Sequence, residues 1–446
     1  MRIHHQTGFD FKLEMTKKNV AVTSFGGLPL IRLALRKLGL IEEMRRFLLK
    51  EKGFADEVIL EALILLLASG GRTLSDWTHL SGEIGFKRIY GTCPSVDTLE
   101  RYLKRLEMTI PDRASSCGQA GYTTVLEKLH HLLIQKIWRL AGCPKRLTLD
   151  LDGTLIETHK REALYSYEGT KAYQPMNVYC PELSMVIAHE FRDGNVSPQE
   201  GYQRLVERCR KILPGVHFTV RTDAAGYQND FLEWMTSNKI RYYLTARQAG
   251  STDEWLAAER NWKPLIVNGI NTGQEIADLS YPVSFKNRLE LKWRSRTRRY
   301  IAIRREKDQP DLFGRYIYQV IVTNAVWETM EESIQQHRGR CGSVEYSHDQ
   351  LKNQLGMGIL PSNDFKVNSA WFSLGCLTHN LIRLLQNHVL TKSWQKLEIA
   401  TLRFRFLRVA AIVIKKARQV ILRFCENHPI YEIYCKAKRR LELLPI

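Results

Sequence analysis

The pattern of apolar residues in this 446-residue chain changes at Lys145, and this change constrains the fold more than any other feature. From residue 25 to residue 140, apolar residues recur at three- and four-residue intervals, which is typical of helices. After Lys145, the segment RLTLDLDGTLI alternates apolar and polar residues, which predicts a β-strand. Further strands are predicted at MNVYC, SMVIAHEF, VHFTVRTD and KIRYYLTAR, and helices at RLVERCRKIL and FLEWMTSN. The predicted order is β-β-β-α-β-α-β.

This order predicts an α/β fold class with an RNase H-like mixed-sheet core, preceded by an all-α region. Alternating stretches such as RYIAIRRE and RYIYQVIVTN indicate a β-rich insertion in the core, and helical periodicity resumes near Val326. The predicted divisions are a helical N-terminal region (1–142), the first part of the core (143–247), the insertion (248–324), the second part of the core (325–390) and a basic helical C-terminal tail (391–446).

The balance of charge indicates a polyanionic partner. There are 66 Lys and Arg against 47 Asp and Glu, which gives a net charge of +19 and makes nucleic acid the leading candidate. Ten basic residues lie between residues 284 and 307, where Arg294, Arg296 and Arg298 would line one face of a strand. The tail from residue 391 holds thirteen Lys and Arg against four Glu. We expect both clusters to contact DNA phosphates, and the alternative for each is a solvated charged face.

One helix makes the N-terminal region (1–142) a candidate DNA-binding region. Pro94-Ser95-Val96-Asp97 offers an N-capping Ser or Asp and leads into TLERYLKRL. Its side chains Arg101, Lys104 and Arg105 are expected to be exposed. The alternative is a surface helix with solvated charges.

The cysteines and the apolar stretches indicate the cellular compartment of the protein. Nine cysteines are scattered without a CxxC pair or a His–Cys cluster, so neither a disulfide framework nor a zinc site is expected. No stretch reads as a signal peptide or a membrane span. We therefore expect a cytoplasmic protein that does not bind a membrane.

Acidic residues on three separate elements could meet at one point. Asp150 and Asp152 point to the same face of their strand, and adjacent like charges are costly unless a cation or proton lies between them. Asp223 lies at the carboxyl end of VHFTVRTD, where clefts of α/β sheets open, and Glu345 shares a helix face with Lys352. Such carboxylates would hold two divalent ions for phosphodiester chemistry. Taken singly, a strand-end Asp is also explained as a turn cap and a helical Glu as a solvated residue.

In these motifs the chain resembles the DDE transposases of bacterial insertion sequences, from about Arg146 to Leu381. The family's Asp-x-Asp-x-Ser/Thr strand is matched by Asp150-Leu-Asp152-Gly-Thr154. Its Arg-x-Asp-x-Gly-Tyr/Phe segment is matched by the one-residue-longer Arg221-Thr-Asp223-Ala-Ala-Gly-Tyr227. Its signature Y-(2)-R-(3)-E-(6)-K is matched, with His for Tyr and one extra residue before the Glu, by His337, Arg340, Glu345 and Lys352.

The resemblance implies a transposase that cleaves DNA and transfers strands with divalent metal. Asp152, Asp223 and Glu345 would be the catalytic and metal-binding residues, with Asp150 as the alternative first ligand. The cofactor would be Mg²⁺, or Mn²⁺ in its place. The implied partners are double-stranded DNA, as terminal inverted repeats and target, and a second copy of the chain in a synaptic complex. The implied location is the nucleoid of the bacterial cytoplasm.

The resemblance also implies residues that contact DNA. Lys352 would contact transposon-end phosphate, and Arg340 is a second candidate from the same signature. In related enzymes with this insertion, an aromatic residue there stacks on a flipped base during hairpin formation. Trp293 is the candidate for this role, and burial in the β-core is the alternative.

Two other classes of function compete with this one. LDLDGTLIETH also resembles the first motif of haloacid-dehalogenase phosphatases, in which one Asp attacks a phosphoryl group and another is the acid/base. That family needs a later acidic pair for Mg²⁺, and no Asp-Asp dipeptide occurs in this chain. The other class is a DNA-binding protein in which the acidic residues are catalytically inactive.

Overall fold

The computed structural model of the chain describes residues 20–47, 49, 52–106, 108–109, 118–247, 256, 258–279, 298–311, 314–417 and 419–445. The α-helices of defined extent in these ranges are α1 (Leu28–Lys37), α2 (Leu40–Met44), α3 (Asp56–Ser69), α4 (Trp77–Gly82), α5 (Ile84–Tyr90), α6 (Val96–Leu103), α7 (Thr124–Leu140), α8 (Tyr202–Ile212), α9 (Asn229–Ser237), α10 (Met330–Arg338), α11 (Ser343–Asp349), α12 (Phe365–Leu384), α13 (Lys392–Gln395), α14 (Ile399–Leu402) and α15 (Ile430–Glu442).

The strands in the same ranges are β1 (Val22–Thr23), β2 (Met108–Thr109), β3 (Ala120–Thr123), β4 (Arg146–Gly153), β5 (Ile156–Glu157), β6 (Leu164–Tyr165), β7 (Lys171–Tyr173), β8 (Met176–Cys180), β9 (Met185–Arg192), β10 (His217–Thr222), β11 (Arg241–Thr245), β12 (Lys263–Val267), β13 (Ile270–Leu279), β14 (Arg299–Asp311), β15 (Gly314–Thr323), β16 (Ala411–Lys416) and β17 (Gln419–Arg423).

One mixed sheet of eleven strands has the order β12-β13-β14-β15-β11-β10-β4-β8-β9-β3-β2. At its centre, β4 lies between β8, which is antiparallel to it, and β10, which is parallel to it. Strand β9 is antiparallel to β8, and β11 is parallel to β10. The predicted α/β succession is therefore present in β4, β8, β9, α8, β10, α9 and β11, with β5, β6 and β7 as additional short strands after β4.

Strands β12 to β15 extend this sheet beyond β11. The strands predicted at RYIAIRRE and RYIYQVIVTN are β14 and β15, and β15 pairs antiparallel with β11, with Thr323 opposite Tyr243. This pairing occupies an edge of β11 that would otherwise present unpaired backbone groups. The β-rich stretch between Asp223 and Glu345 thus continues the central sheet.

Helix α12 is the buried centre of the helices that pack on the sheet, where it contacts β9, β3, α7 and α3. In the pairing of β8 with β9 the register shifts between Val178 and Tyr179, and Val186 lies opposite Tyr179. Asn380 of α12 accepts the Val186 N–H at 3.0 Å and donates to the Val186 carbonyl at 2.7 Å. Its Nδ2 also lies 2.7 Å from Nε2 of His130 on α7. This one amide joins α12 to β9 and α7.

The terminal regions differ from their predicted all-helical character. Residues 411–423, predicted as part of a helical tail, form the antiparallel hairpin β16–β17, and β1 pairs with β16 in a three-stranded sheet. The β-branched residues of AIVIKK and QVILR favour a strand, and Ala417 has a positive φ of 44° at the turn. In the N-terminal region, β3 joins the edge of the large sheet beside β9. The helical predictions for these segments are wrong.

Two further features concern the membrane and cysteine predictions. In the part of the chain that the structure describes, no single helix is long and apolar enough to span a membrane. Helices at 56–69 and 74–82 meet the length and composition criteria only when joined, and they are bent by 94° relative to each other. The eight described cysteines are all free thiols.

We predict that Asn380→Ala lowers the free energy of unfolding by about 2–4 kcal/mol, because both Val186 backbone groups would lose their buried partner. Urea unfolding followed by circular dichroism measures this. Lys366→Ala, which changes an exposed residue of the same helix, is the matched control and should leave the midpoint nearly unchanged. Equal stability of the two variants would contradict the role given to Asn380.

Candidate active site

Asp152 and Asp223 lie at the same edge of the central sheet. Asp152 is near the end of β4, and Asp223 directly follows β10. The two strands are parallel neighbours with Arg221 opposite Asp150, so the register brings Asp223 level with Asp152 two residues farther along. Clefts of α/β sheets open at such carboxyl ends.

Two neighbours orient the Asp223 carboxylate. Its Oδ1 accepts the backbone N–H of Ala225 at 3.0 Å and the phenol O–H of Tyr202 at 3.3 Å. Tyr202 begins α8 and is only 3% exposed. Burial, and then the charges of Asp223 and Asp152, raise the pKa of Tyr202 far above its usual value, so the phenol stays a donor. The sequence did not single out Tyr202, because its approach depends on how α8 packs on the sheet.

Glu345 reaches this edge from a helix. It lies in the first turn of α11, which packs against β4 and β8. Its Oε2 accepts the backbone N–H of Gly342 at 2.7 Å. His348 of the same helix has its Nδ1 3.7 Å from Oδ2 of Asp152. Helix α11 therefore brings an acid and a histidine to the end of β4.

The three carboxylates share one electrostatic environment. Burial, and after it the charges of Asp223 and Glu345, raises the pKa of Asp152 to about 6 against the opposing charge of Arg340. Burial and the charge of Arg340 lower the pKa of His348 to about 4, so this imidazole is neutral at pH 7. At neutral pH the edge therefore carries unbalanced negative charge.

Two basic residues of the predicted signature lie beside β4. Nη2 of Arg340 is 2.9 Å from Oδ1 of Asp152, and the arginine side chain is 13% exposed. Nζ of Lys352 donates to the carbonyl of Leu155 at 2.8 Å. Arg340 and Lys352, which were predicted to contact DNA, thus both lie near the end of β4. Their contact with DNA stays a prediction.

Asp150 is not part of the open edge. Its fully buried carboxylate is held by the Arg221 guanidinium, with Nε 2.6 Å from Oδ1 and Nη2 2.7 Å from Oδ2. Oδ2 also accepts the hydroxyl of Ser343 at 2.6 Å. Asp150, predicted as the alternative first metal ligand, is therefore a buried ion-pair partner whose oxygens are already engaged. The like charges of Asp150 and Asp152 are balanced by two arginines.

The Arg221 guanidinium also holds the segment that leads to α11. Its Nη1 donates to the backbone carbonyl of Gln336 at 3.0 Å. A Cβ at position 339 would clash with Nη1, so any larger residue would require the paired guanidinium to move. Gly339 is the first of the two glycines in the sequence HRGRCG, and here its role is close approach.

The predicted basic face of the insertion is only partly described. Arg298 is 2% exposed, with Nη2 3.5 Å from Oε1 of Glu233 and further bonds to Asn229. The expectation that Arg298 lies on an exposed face is wrong, because the guanidinium is buried between these partners. The other predicted DNA-contacting residues of this segment lie outside the described residues: Trp293, Arg294 and Arg296.

The donor set fits a hard divalent cation in its chemistry, since it consists of three carboxylates. As the side chains stand, the described residues contain no group of three or more His, Cys, Asp or Glu arranged to hold a metal ion. Asp152 is paired with Arg340, and Glu345 is turned to the N–H of Gly342. Binding an ion would therefore require these two carboxylates to exchange partners.

We predict that Asp150→Asn lowers the free energy of unfolding by about 3–5 kcal/mol, because it leaves the Arg221 charge buried without its counter-charge. Thermal and urea unfolding measure the loss. Glu306→Gln, which breaks an exposed ion pair with Arg315, is the control and should change little. Wild-type stability in Asp150→Asn would show that this ion pair does not organise the site.

We predict that Asp152→Asn, in contrast, raises the free energy of unfolding. The pKa of Asp152 is raised from 3.8 to about 6, so the charged form opposes folding by up to about 3 kcal/mol above pH 6. The neutral amide removes this penalty, and the stability gained should shrink as the pH falls through 6 and vanish below the unfolded value of 3.8. Unfolding midpoints of both proteins between pH 4.5 and pH 8 measure this. A gain that does not depend on pH would refute the electrostatic explanation.

Comparisons with known proteins assign the chain to a family. No curated protein matches it. Among solved structures it is similar to the piggyBac transposase in a cryo-EM structure of a synaptic complex with hairpin DNA, with a TM-score of 0.43 and 12% sequence identity, covering 94% of this chain and 80% of that chain. The model of the family described as transposase DDE domain group 1 matches residues 5–446. The predicted family is confirmed, and the chain belongs to the DDE transposases of this group.

Proposed function

We propose that this transposase binds the terminal inverted repeats of a bacterial insertion sequence and cleaves and rejoins DNA there. The edge of the central sheet carries the proposal: the parallel register of β4 and β10 brings Asp152 and Asp223 level, and α11, packed against β4, brings Glu345 to the same edge. Gathered like charges of this kind call for a cation. Metal-dependent phosphodiester chemistry uses such a cation.

The central strands support an RNase H-like core for this chemistry. Numbered along the chain from β4, the five strands stand in the order three-two-one-four-five. The second is antiparallel to its two neighbours, and the fourth and fifth are parallel to the first. The proposed acids belong to the first strand, the end of the fourth, and α11.

Asp152, Asp223 and Glu345 would hold Mg²⁺, or Mn²⁺ in its place. When bound, such ions activate the attacking oxygen and stabilise the leaving oxygen of a phosphodiester. The chain itself supplies the orientation of these ligands. The Ala225 N–H and the Tyr202 hydroxyl hold Asp223 in one orientation, which reduces the reorganisation needed on binding.

Arg340 would change partners when the site is loaded. Its guanidinium pairs with Asp152, so any cation on Asp152 competes with it. Once released, the planar guanidinium suits a phosphate of the bound strand. Lys352, held at the Leu155 carbonyl, adds a second positive charge on the same side. Both basic residues of the signature, Arg340 and Lys352, would thus contact DNA near the reacting phosphate.

The N-terminal region supplies a further DNA-contacting surface. Ser95 caps α6 by accepting the Thr98 N–H at 3.2 Å, as the sequence predicts. Arg101 is exposed on this helix, and Lys104 and Arg105 are exposed directly after its end. With the net charge of +19, these side chains support binding of double-stranded DNA. We propose that two copies of the chain hold this DNA in a synaptic complex.

A haloacid-dehalogenase-like phosphatase is not favoured. Its first motif would need both Asp150 and Asp152 to act on a phosphoryl group. Asp150 is fully buried and bonded to Arg221 and Ser343, so it has no path to a substrate. The membership in the transposase family argues in the same direction.

We predict that the purified protein with Mg²⁺ or Mn²⁺ nicks DNA carrying the inverted repeats of its element. Asp152→Asn, Asp223→Asn and Glu345→Gln should each reduce cleavage below detection, because each removes a charged oxygen from the metal ligands. Denaturing gels of end-labelled DNA measure cleavage, and gel shifts measure binding, which should persist.

Asp349→Asn is the matched control, since it changes another acid of α11, whose carboxylate bonds Asn353 and Gln354 instead. It should cleave within about threefold of wild type. A triad variant that still cleaves would lose its place among the ligands. DNA binding without cleavage by the wild-type protein would favour the catalytically inactive alternative.

A further inference from the structure

Between β4 and β8 the chain leaves the central sheet and forms a small antiparallel sheet of its own. Its strands stand in the order β5-β7-β6, and β5 begins four residues after Asp152. The Leu155 carbonyl at its start accepts a bond from Lys352 at 2.8 Å. The Arg161 N–H donates to Oδ1 of Asn363 at 3.1 Å. Two bonds therefore tie this sheet to the segment that follows Glu345.

The hairpin of this sheet presents two aromatic rings to solvent. Tyr165 is 64% exposed and Tyr167 is 66% exposed, on either side of the buried Ser166. The turn is ordered by bonds from the Ser166 N–H to the Thr170 carbonyl at 2.8 Å and from the Gly169 N–H to the Ser166 carbonyl at 3.0 Å. The rings thus stand on a braced turn whose own sheet leaves them uncovered.

A lysine adjoins one of these rings, whereas Glu168 follows the other directly in the chain. Lys171 lies opposite Tyr165 in the hairpin register, with Nζ 5.8 Å from the centre of the Tyr165 ring. A ring with an adjacent ammonium group offers a stacking face for a base and a counter-charge for its phosphate. Arg161, in the turn between β5 and β6, has an 84% exposed side chain whose Nη2 lies 3.7 Å from Oε1 of Glu162.

The rings also lie near the proposed catalytic acids. The small sheet begins and ends beside Asp152: β5 begins four residues after it, and β7 leads into β8, where Asn177 lies opposite it. A strand whose phosphate lies at those carboxylates would pass this hairpin.

We propose that Tyr165 and Tyr167 form a stacking platform for an unpaired base of the DNA strand at the active site, with Lys171 beside a neighbouring phosphate. This rests on the proposed function, since it names the part of the DNA that the site holds. A paired duplex offers no free base face, so the platform acts on an end or an opened position next to the scissile phosphate. This hairpin would then be a site of base stacking in addition to the one expected in the insertion.

The first experiment maps the contact in the wild-type protein. End DNA with 5-iodouracil at single positions on either side of the cleavage site is bound in EDTA, irradiated, and analysed by mass spectrometry. We expect a crosslink to Tyr165 or Tyr167 from an unpaired position and none from the same position when it is paired. Crosslinks that never reach the hairpin would overturn the proposal.

The second experiment measures affinity. Tyr165→Ala and Tyr167→Ala should each weaken binding of end DNA with an unpaired base by about 5- to 150-fold, the range for one stacked base. Binding of fully paired end DNA should change less than about twofold. Tyr165→Phe and Tyr167→Phe keep the ring and should bind as wild type does. Tyr431→Ala removes an exposed tyrosine of α15 and is the matched control.

The outcomes separate this proposal from the one on which it rests. Wild-type protein that cleaves end DNA, together with alanine variants that bind unpaired and paired DNA equally well, would overturn the platform alone. Wild-type protein that fails to cleave would overturn the proposed function, whatever the tyrosine variants do. Unfolding midpoints equal to wild type show that the variants are folded, as expected for exposed side chains.

Discussion

The buried ion pair between Arg221 and Asp150 is the interaction on which the site depends. It joins β10 to β4, and the Ser343 hydroxyl bonded to Asp150 joins α11 to both. Each of the three elements contributes one residue to this buried cluster and, two residues later, one acid to the edge of the sheet: Asp150 and Asp152, Arg221 and Asp223, Ser343 and Glu345. The relative positions of the acids therefore follow from contacts that solvent does not reach. Because the ion pair excludes water and has two parallel bonds, it fixes orientation as well as distance.

At the open edge of the sheet, where Asp152, Asp223 and Glu345 lie, the charges are unfavourable to one another. There, burial first and then the charges of Asp223 and Glu345 raise the pKa of Asp152. Arg340 relieves part of this repulsion in the structure, and it does so from the segment that also carries Glu345. A stable buried cluster thus supports a destabilised surface cluster, which is how functional sites commonly combine rigidity with unfavourable charge.

Much of the element order was predictable from local patterns, because short apolar or alternating runs between turns favour strands and spacings of three and four residues favour helices. The five central strands, the two helices between them, the strands β14 and β15 and most of the N-terminal helices have the predicted type. Strands β8 and β9 are buried at every position and so show no alternation of exposure. The hairpin β16–β17 was missed because charges interleaved with apolar residues suit a helix and an edge strand equally well. Arg298 was misplaced because a run of basic residues does not show which of them meets Glu233 in the fold. His337, which stands for the Tyr of the signature, is buried and bonded to Thr245 at 3.0 Å, a contact no local pattern predicts.

By itself the sequence determined the residue types of the site, their spacing along the chain, and the strands and helix that carry them. It placed Asp150 and Asp152 on one face of β4, since alternation is a local property of the backbone. Only the tertiary structure decided that Asp150 is enclosed and Asp152 open. The partners that enclose Asp150 lie 71 and 193 residues away along the chain. Burial along one strand face depends on what packs over each position, and that is set by distant segments whose approach no local pattern encodes.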